Sequence, residues 1–245
     1  MATAEKQGPP CKISVAMAIY GDGGPYLAQQ LASLLPQLRQ DDELIISVDA
    51  PTGELPAALV VAQKNHGAVR YVEGPSKGVI RNFEHALGQC TGDVVFLCDQ
   101  DDVWYPEKIQ VMTEALLKED ALLVLSDARV VDAHGSVIHP SFMEMNRSKP
   151  GVWSTVLHNG YIGCCMAVRR QFLDFALPFP RNIPMHDVWM GIVAERRGKV
   201  HWLRQPLMDY RRHTEAVTAG KSSLQKKIGW RIGLLWALCF HAKRG

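Results

Sequence analysis

The stretch VVFLCDQDDVWYPEKI, residues 94–109, places three carboxylates, Asp99, Asp101 and Asp102, directly after an apolar run. Like charges about 5 Å apart repel by about 3 kcal/mol at an effective dielectric near ~20, so such a cluster needs solvent, a proton or a cation. In an extended chain Asp99 and Asp101 project to one side and Asp102 to the other. Two same-side carboxylates beyond a strand suit a hard divalent ion that keeps open positions for phosphate oxygens. The plainer alternative is a solvated turn whose acids favour the N-terminus of the helix behind them. Three acids beside Cys98 and Trp104 favour the metal.

Rival chemistries can be weighed on spacing. A calcium loop of the EF-hand kind fails, because counting from Asp99 the sixth position is Trp104 instead of Gly and the twelfth is Gln110 instead of Glu. FLCDQDDV could support an aspartyl-phosphate mechanism with Asp99 as nucleophile, as in a HAD-like phosphohydrolase. That motif belongs on the first strand of its domain, whereas here three strand–helix units precede it. A dinucleotide-binding reading of GDGGPY fails at Tyr26, which stands where the third glycine should be.

The acids must be held by a scaffold, and the chain supplies one. KISVAMAI (12–19) reads as a buried strand followed by a Gly-rich turn and a helix with Leu27, Leu31, Leu34, Leu35 and Leu38 on one face. Strands follow at 43–49, 68–73 and 93–98, with helical patterns at 55–65, across KGVIRNFEHALGQC and at 106–118. Alternating strands and helices with short connections predict an α/β fold, a Rossmann-like, mostly parallel sheet with helices on both faces. Ligands of such sheets collect outside the carboxyl ends of the strands, where Tyr20, Asp49 and residues 99–102 would converge. Beyond residue 118 the pattern changes: LLVLSDARVVDAHGSVIHPSF reads as antiparallel strands around a His-Gly turn. EMNRSKPG (144–151) reads as a mobile loop, MHDVWMGIVAERRG as a helix and KVHWLR as a strand.

With 245 residues and a net charge of +2, the chain can bury a substantial core and gives no sign of a nucleic-acid partner. Six scattered cysteines without a CxxC pair predict buried free thiols in a reducing compartment. The N-terminus lacks an apolar core of signal-peptide length, which predicts a cytoplasmic chain. Residues 221–245 read as a basic, apolar helix that could lie on the cytoplasmic membrane surface, pack on the domain, or continue into a segment beyond a truncated end.

The motifs SVAMAIYGDGGPYLAQQLASLLPQ, ELIISVDAPTGE, GVIRNFEHAL, DVVFLCDQDDVWYPEKI, GCCMAVRR, MHDVWMGIVAERRGKV and DYRRHTEAVTAG occur in one order. With them the chain resembles the nucleotide-sugar glycosyltransferases of family 2, and DQDDVW, HDVW and YRRH are similar to its rhamnosyltransferase-like branch. The resemblance implies a single GT-A domain over 12–220, with a nucleotide-binding half (12–118) and a smaller antiparallel acceptor-binding half (119–220). It implies an inverting transferase moving a sugar, L-rhamnose from dTDP-L-rhamnose, to a hydroxyl of a cell-surface glycan or lipid-linked precursor with Mg²⁺ or Mn²⁺. Ala18, Ile19 and Tyr20 match the segment lining the nucleotide, and Asp49 the acid that contacts the base, although Val48 stands where the family carries a second Asp. The family's DxD motif falls on Asp99-Gln100-Asp101, with Asp101 the direct metal ligand and Asp99 or Asp102 assisting. Asp187 matches the base facing the acceptor, at a helix start that keeps it ionised. His186 reads as structural, and His213 as a further metal ligand or a strand-end histidine. Lys77, Arg81, Arg211 and Arg212 are candidates to neutralise the diphosphate, with Arg81 and Arg212 preferred. Trp104 and Trp189 could stack on a sugar, though core packing suits both. A catalytically silent nucleotide-sugar-binding module is a further alternative.

Overall fold

The structure is a computed structural model that describes residues 11–51 and 56–212, with 229 and 233–234. Its frame is one sheet. Strands β1 (Ile13–Tyr20), β2 (Glu43–Asp49), β3 (Val69–Glu73) and β4 (Val94–Cys98) are parallel and lie side by side as β3-β2-β1-β4. They are joined by helices α1 (Leu27–Leu34), α2 (Ala57–Asn65) and α3 (Val79–Gly88). All of β4 and all but the last residue of β1 are buried, which is why both read as unbroken apolar runs instead of alternating.

The second half extends the same sheet in another style. It comprises β5 (Val103–Trp104), α4 (Lys108–Lys118), β6 (Leu123–Val131), β7 (Val137–His139), α5 (Phe142–Met145), α6 (Val152–Leu157), β8 (Met166–Arg169), α7 (Leu173–Ala176), α8 (His186–Arg197) and β9 (Val200–Arg211). The order continues β4-β8-β6-β9-β5, with β7 on β6. Antiparallel pairs β4–β8, β6–β8, β6–β7 and β5–β9 surround one parallel pair, β6–β9. The shift from parallel to antiparallel expected after residue 118 is therefore present.

Two segments differ from the sequence reading. The last strand does not end at Arg204 but runs on to Arg211, because irregular register around Asp127 and Pro206 absorbs the break that Arg204-Gln205-Pro206 suggests. Residues 144–151 are not the loose loop expected. The Ser141 hydroxyl caps α5, the Asn146 side chain donates to Ser148 Oγ and to the Asn159 carbonyl, and the Gly151 N–H donates to Glu195. Among the described residues no helix is long and apolar enough to cross a membrane. The basic, apolar segment 221–245 lies outside the described residues except for positions 229, 233 and 234.

Candidate active site

The strand ends build a rim. Tyr20, the last residue of β1, is in register with Asp49, the last of β2, while β4 ends at Cys98 opposite Met17. Chain order reverses at β1, which has β2 on one side and β4 on the other, so the crevice beyond it is a topological switch point. Ala18 and Ile19 are buried; Tyr20 is 72% exposed and its N–H donates to Gln100 Oε1 at 3.1 Å. The buried Asp49 accepts backbone N–H groups from Ser76 (2.7 Å) and Gly78 (3.1 Å). A Cβ on Gly74 would come within 2.5 Å of Asp49 Oδ1, so only glycine lets the loop after β3 close over this acid. Ala50 and Ser76 both hold left-handed backbone conformations here (φ 50° and 52°), strain of the kind that collects at ligand sites. A carboxylate offers about four acceptor positions, and backbone N–H groups among the described residues take two of those on Asp49.

The acidic cluster is arranged differently from the extended-chain expectation. The backbone bends at Gln100 and Asp101, and Asp102 comes round to the side of Asp99. Ligand atoms of Asp99, Asp102 and Cys164 lie within 4.8 Å of one another. Asp102 is fully buried; one oxygen accepts the Arg211 N–H at 3.1 Å, and the other has no hydrogen-bond partner among the described residues. Burial pushes Asp99 up to about 7, with the Asp101 charge adding to it. Burial likewise holds Asp102 well above the ordinary carboxylate range, with Asp99 and Asp101 adding to it. An orphaned buried carboxylate oxygen beside a second carboxylate is a donor set that fits a divalent cation.

Two basic residues organise this cluster: Arg211, a diphosphate candidate in the sequence reading, is engaged by the protein itself, and Lys108 was not foreseen. Arg211 donates from Nε to the Asp101 carbonyl (3.0 Å), from Nη1 to the Asp132 and Ala133 carbonyls, and from Nη2 to Gln29 Oε1 (3.0 Å), with its guanidinium over the Tyr26 ring. Lys108, at the start of α4, is 0% exposed, and its Nζ donates to the Cys164 carbonyl at 2.7 Å. The same Nζ lies 2.9 Å from Met208 Sδ and 4.4 Å from the Trp104 ring centre. A lysine at a helix start ordinarily reads as solvated. The only hint of burial is the apolar company of Trp104 and Ile109.

Asp187 occupies the first turn of α8 and is nearly buried. Its Oδ1 lies 2.6 Å from the Val188 N–H, which donates to it; Asn159 and the Gly163 backbone also favour the charged form. Burial still outweighs these and raises the carboxyl to about 6, so the helix start does not keep it as firmly ionised as the sequence suggested. Asp187 lies near enough to Asp99 to raise that acid in turn. His186 is structural: it stacks on Phe83 with ring centres 4.1 Å apart, and burial pushes it down to about 3. A Cβ on Gly163 would lie 2.7 Å from His186 Nε2, so a glycine is needed where the Gly163–Cys165 turn rests on this ring. That turn joins the two chemistries, with Gly163 toward Asp187 and Cys164 toward Asp99 and Asp102.

Other expectations are redistributed. Arg81 is not left for a diphosphate, because it pairs with Glu84 at 2.6 Å and donates to the Phe179 and Pro180 carbonyls. Arg212 is exposed, its N–H on the Val131 carbonyl, and Lys77 is exposed as well. Trp104 and Trp189 are core residues, Trp189 donating to the Ala176 carbonyl. Asn82, also unforeseen, ties β1 to β2 by donating to the Ile19 and Ser47 carbonyls. His213 lies outside the described residues. The described cysteines are free, and all but Cys11 are buried.

A parallel nucleotide-type half with acids on its carboxyl rim, continued by antiparallel strands that position a further acid, is the arrangement of a GT-A glycosyltransferase. Among solved structures, S. aureus TarS (residues 1–349, in complex with UDP-GlcNAc) is similar with a TM-score of 0.67 at 17% identity, over 86% of this chain and 62% of that one. The mannosyltransferase PcManGT from Pyrobaculum calidifontis, in complex with GDP-Man and Mn²⁺, is similar with a TM-score of 0.61 at 15% identity, over 96% and 76%. An uncharacterized glycosyltransferase of Nostoc sp. is 26% identical over 212 residues, 82% of this chain and 65% of the relative. The amylovoran biosynthesis glycosyltransferase AmsE of Erwinia amylovora is 24% identical over 235 residues, 89% and 80%. The chain thus spans less than two thirds of the length of the Nostoc relative and of the TarS chain. Residues 14–175 match the family model for glycosyl transferase family 2, and the chain belongs to that family. The phosphohydrolase reading of Asp99 is thereby set aside.

Proposed function

We propose that this chain transfers a sugar from a nucleoside diphosphate to an acceptor hydroxyl, inverting the anomeric carbon, with Mg²⁺ or Mn²⁺ as cofactor. The observation that carries the reading is the gathering of Asp49, Asp99, Asp102 and Asp187 about one switch point, with Asp187 raised to about 6. Asp49 and the backbone of 18–20 would hold the nucleoside, and Arg212, exposed just past the end of β9, would be the cation for the phosphates. A bound divalent cation, held among the acids Asp101, Asp99 and Asp102, would offset charge developing on the leaving diphosphate. Asp187 accepts the acceptor's O–H proton as that oxygen bonds to the anomeric carbon. The carbon–phosphate-oxygen bond breaks on the opposite face, and its electron pair leaves with the diphosphate. A carboxyl near 6 is mostly ionised at neutral pH yet basic enough to take a proton.

The donor we favour is dTDP-L-rhamnose, on the similarity of DQDDVW, HDVW and YRRH to the rhamnosyl branch, with a cell-surface glycan or its lipid-linked precursor as acceptor. The relatives with complexes carry UDP-GlcNAc and GDP-Man, which supports a nucleotide-sugar donor without choosing among them. The basic, apolar 221–245 segment suits work beside the cytoplasmic membrane. A thermal-shift screen of nucleotide sugars, with and without Mn²⁺, tests the reading. Stabilisation by dTDP-L-rhamnose only with the ion present is expected; equal response to every nucleotide sugar, or none to any, would overturn the donor assignment. A silent binding module would show the same shifts but no diphosphate release with any acceptor.

A further inference from the structure

We propose that Cys164 is a metal ligand, so that the ion is held by two carboxylates and one thiolate, Asp99, Asp102 and Cys164, instead of by oxygen alone. This rests on the metal-dependent reading above and deepens it. The three ligand atoms lie within 4.8 Å of one another, with Asp102 and Cys164 fully buried and Asp99 partly open to the rim. One Asp102 oxygen is held by the Arg211 backbone N–H; the other has no hydrogen-bond partner within normal distance among the described residues, and the Cys164 thiol is the group that faces the two acids. Leaving a buried acceptor unsatisfied is costly, and a cation beside it would supply the missing partner.

The turn that carries Cys164 is fixed from behind. Lys108 Nζ, itself fully buried, donates to the Cys164 carbonyl at 2.7 Å, which leaves the thiol on the side of the acids. With all three ligands ionised, their negative charges exceed the positive charge of Lys108, and a divalent ion offsets the excess. On binding, the Cys164 S–H bond breaks, its proton passes to solvent and the sulfur electron pair goes to the metal. A thiolate in the donor set favours Mn²⁺, Co²⁺ or Zn²⁺ over Mg²⁺, which prefers oxygen.

Cobalt titration of the metal-free full chain, followed by absorption and calorimetry together, tests this. Wild type should develop a near-ultraviolet sulfur-to-cobalt charge-transfer band as heat is released. Cys164→Ser and Cys164→Ala should lose the band, and Asp102→Asn should bind Co²⁺ about tenfold or more weakly. Cys98→Ser is the internal control, since Cys98 is equally buried but its thiol is directed at the Asp99 carbonyl, 3.2 Å away; its band should remain. Thermal melts establish that each variant is folded, and the wild-type band stands independently of them. Heat without a band, or a band that survives in a folded Cys164 variant, overturns the thiolate ligand while leaving the metal-dependent reading intact. No heat with either Co²⁺ or Mn²⁺ overturns that reading, and this inference with it.

Discussion

At the start of α8, Asp187 stands between two opposed influences: backbone and Asn159 hydrogen bonds that favour the carboxylate, and burial that favours the acid. Burial wins, to about 6, and this fixes the pH at which the residue can work. Above that value the carboxylate takes a proton from the acceptor; below it the site is already filled. Steady-state turnover should therefore fall as pH drops through about 6. Asp187→Asn should lose about 100-fold or more in turnover while donor affinity, read by calorimetry, stays unchanged. A flat pH profile or near-normal turnover in that variant would assign the proton to another group. The position of Asp187 was legible because HDVW opens a helical pattern; its shifted carboxyl was not, since burial exists only in the folded chain and the opposing hydrogen bonds come from Asn159 and Gly163, more than twenty positions earlier.

At the scale of elements, the rim was legible where it is local. Asp49 and the 99–102 cluster end apolar runs whose strand character shows in a handful of neighbouring residues. The partners of those acids were hidden because they come from distant chain. Arg211 meets Asp102 across 109 positions, on a strand whose continuity past Pro206 depends on irregular pairing with β6. Lys108 follows the acids closely in sequence, yet its partner is the Cys164 carbonyl, 56 positions away. Arg211 joins β9, the acidic loop, the 132–133 turn and α1, so it acts as a tie between elements. Arg211→Ala should lower unfolding free energy by about 2–4 kcal/mol in urea titrations, through hydrogen bonds left unmade in the interior. A loss below about 0.5 kcal/mol, the range of ordinary surface substitutions, would show that the tie carries no weight.

Across the whole molecule, the buried acids make stability a report on the site. Asp99 and Asp102 bind protons more tightly folded than unfolded, so their contribution is present at low pH and lost as pH rises, for Asp99 through about 7. His186, pushed down to about 3, acts in the opposite sense: stability gains as pH rises, until the unfolded histidine has lost its proton near 6.5. The clean window lies above that. Between about pH 6.5 and 8 the metal-free protein should lose unfolding free energy as pH rises, and saturating Mn²⁺ should remove the loss. Stability that rises over this range without metal would mean the acids are neutralised within the protein.

The most direct measurement is calorimetric titration of dTDP into the protein with Mn²⁺ present and then with excess chelator. Binding that is measurable with the ion, and at least about tenfold weaker without it, is the predicted result. Equal affinity under both conditions would contradict a site in which a divalent cation joins the clustered aspartates to a diphosphate.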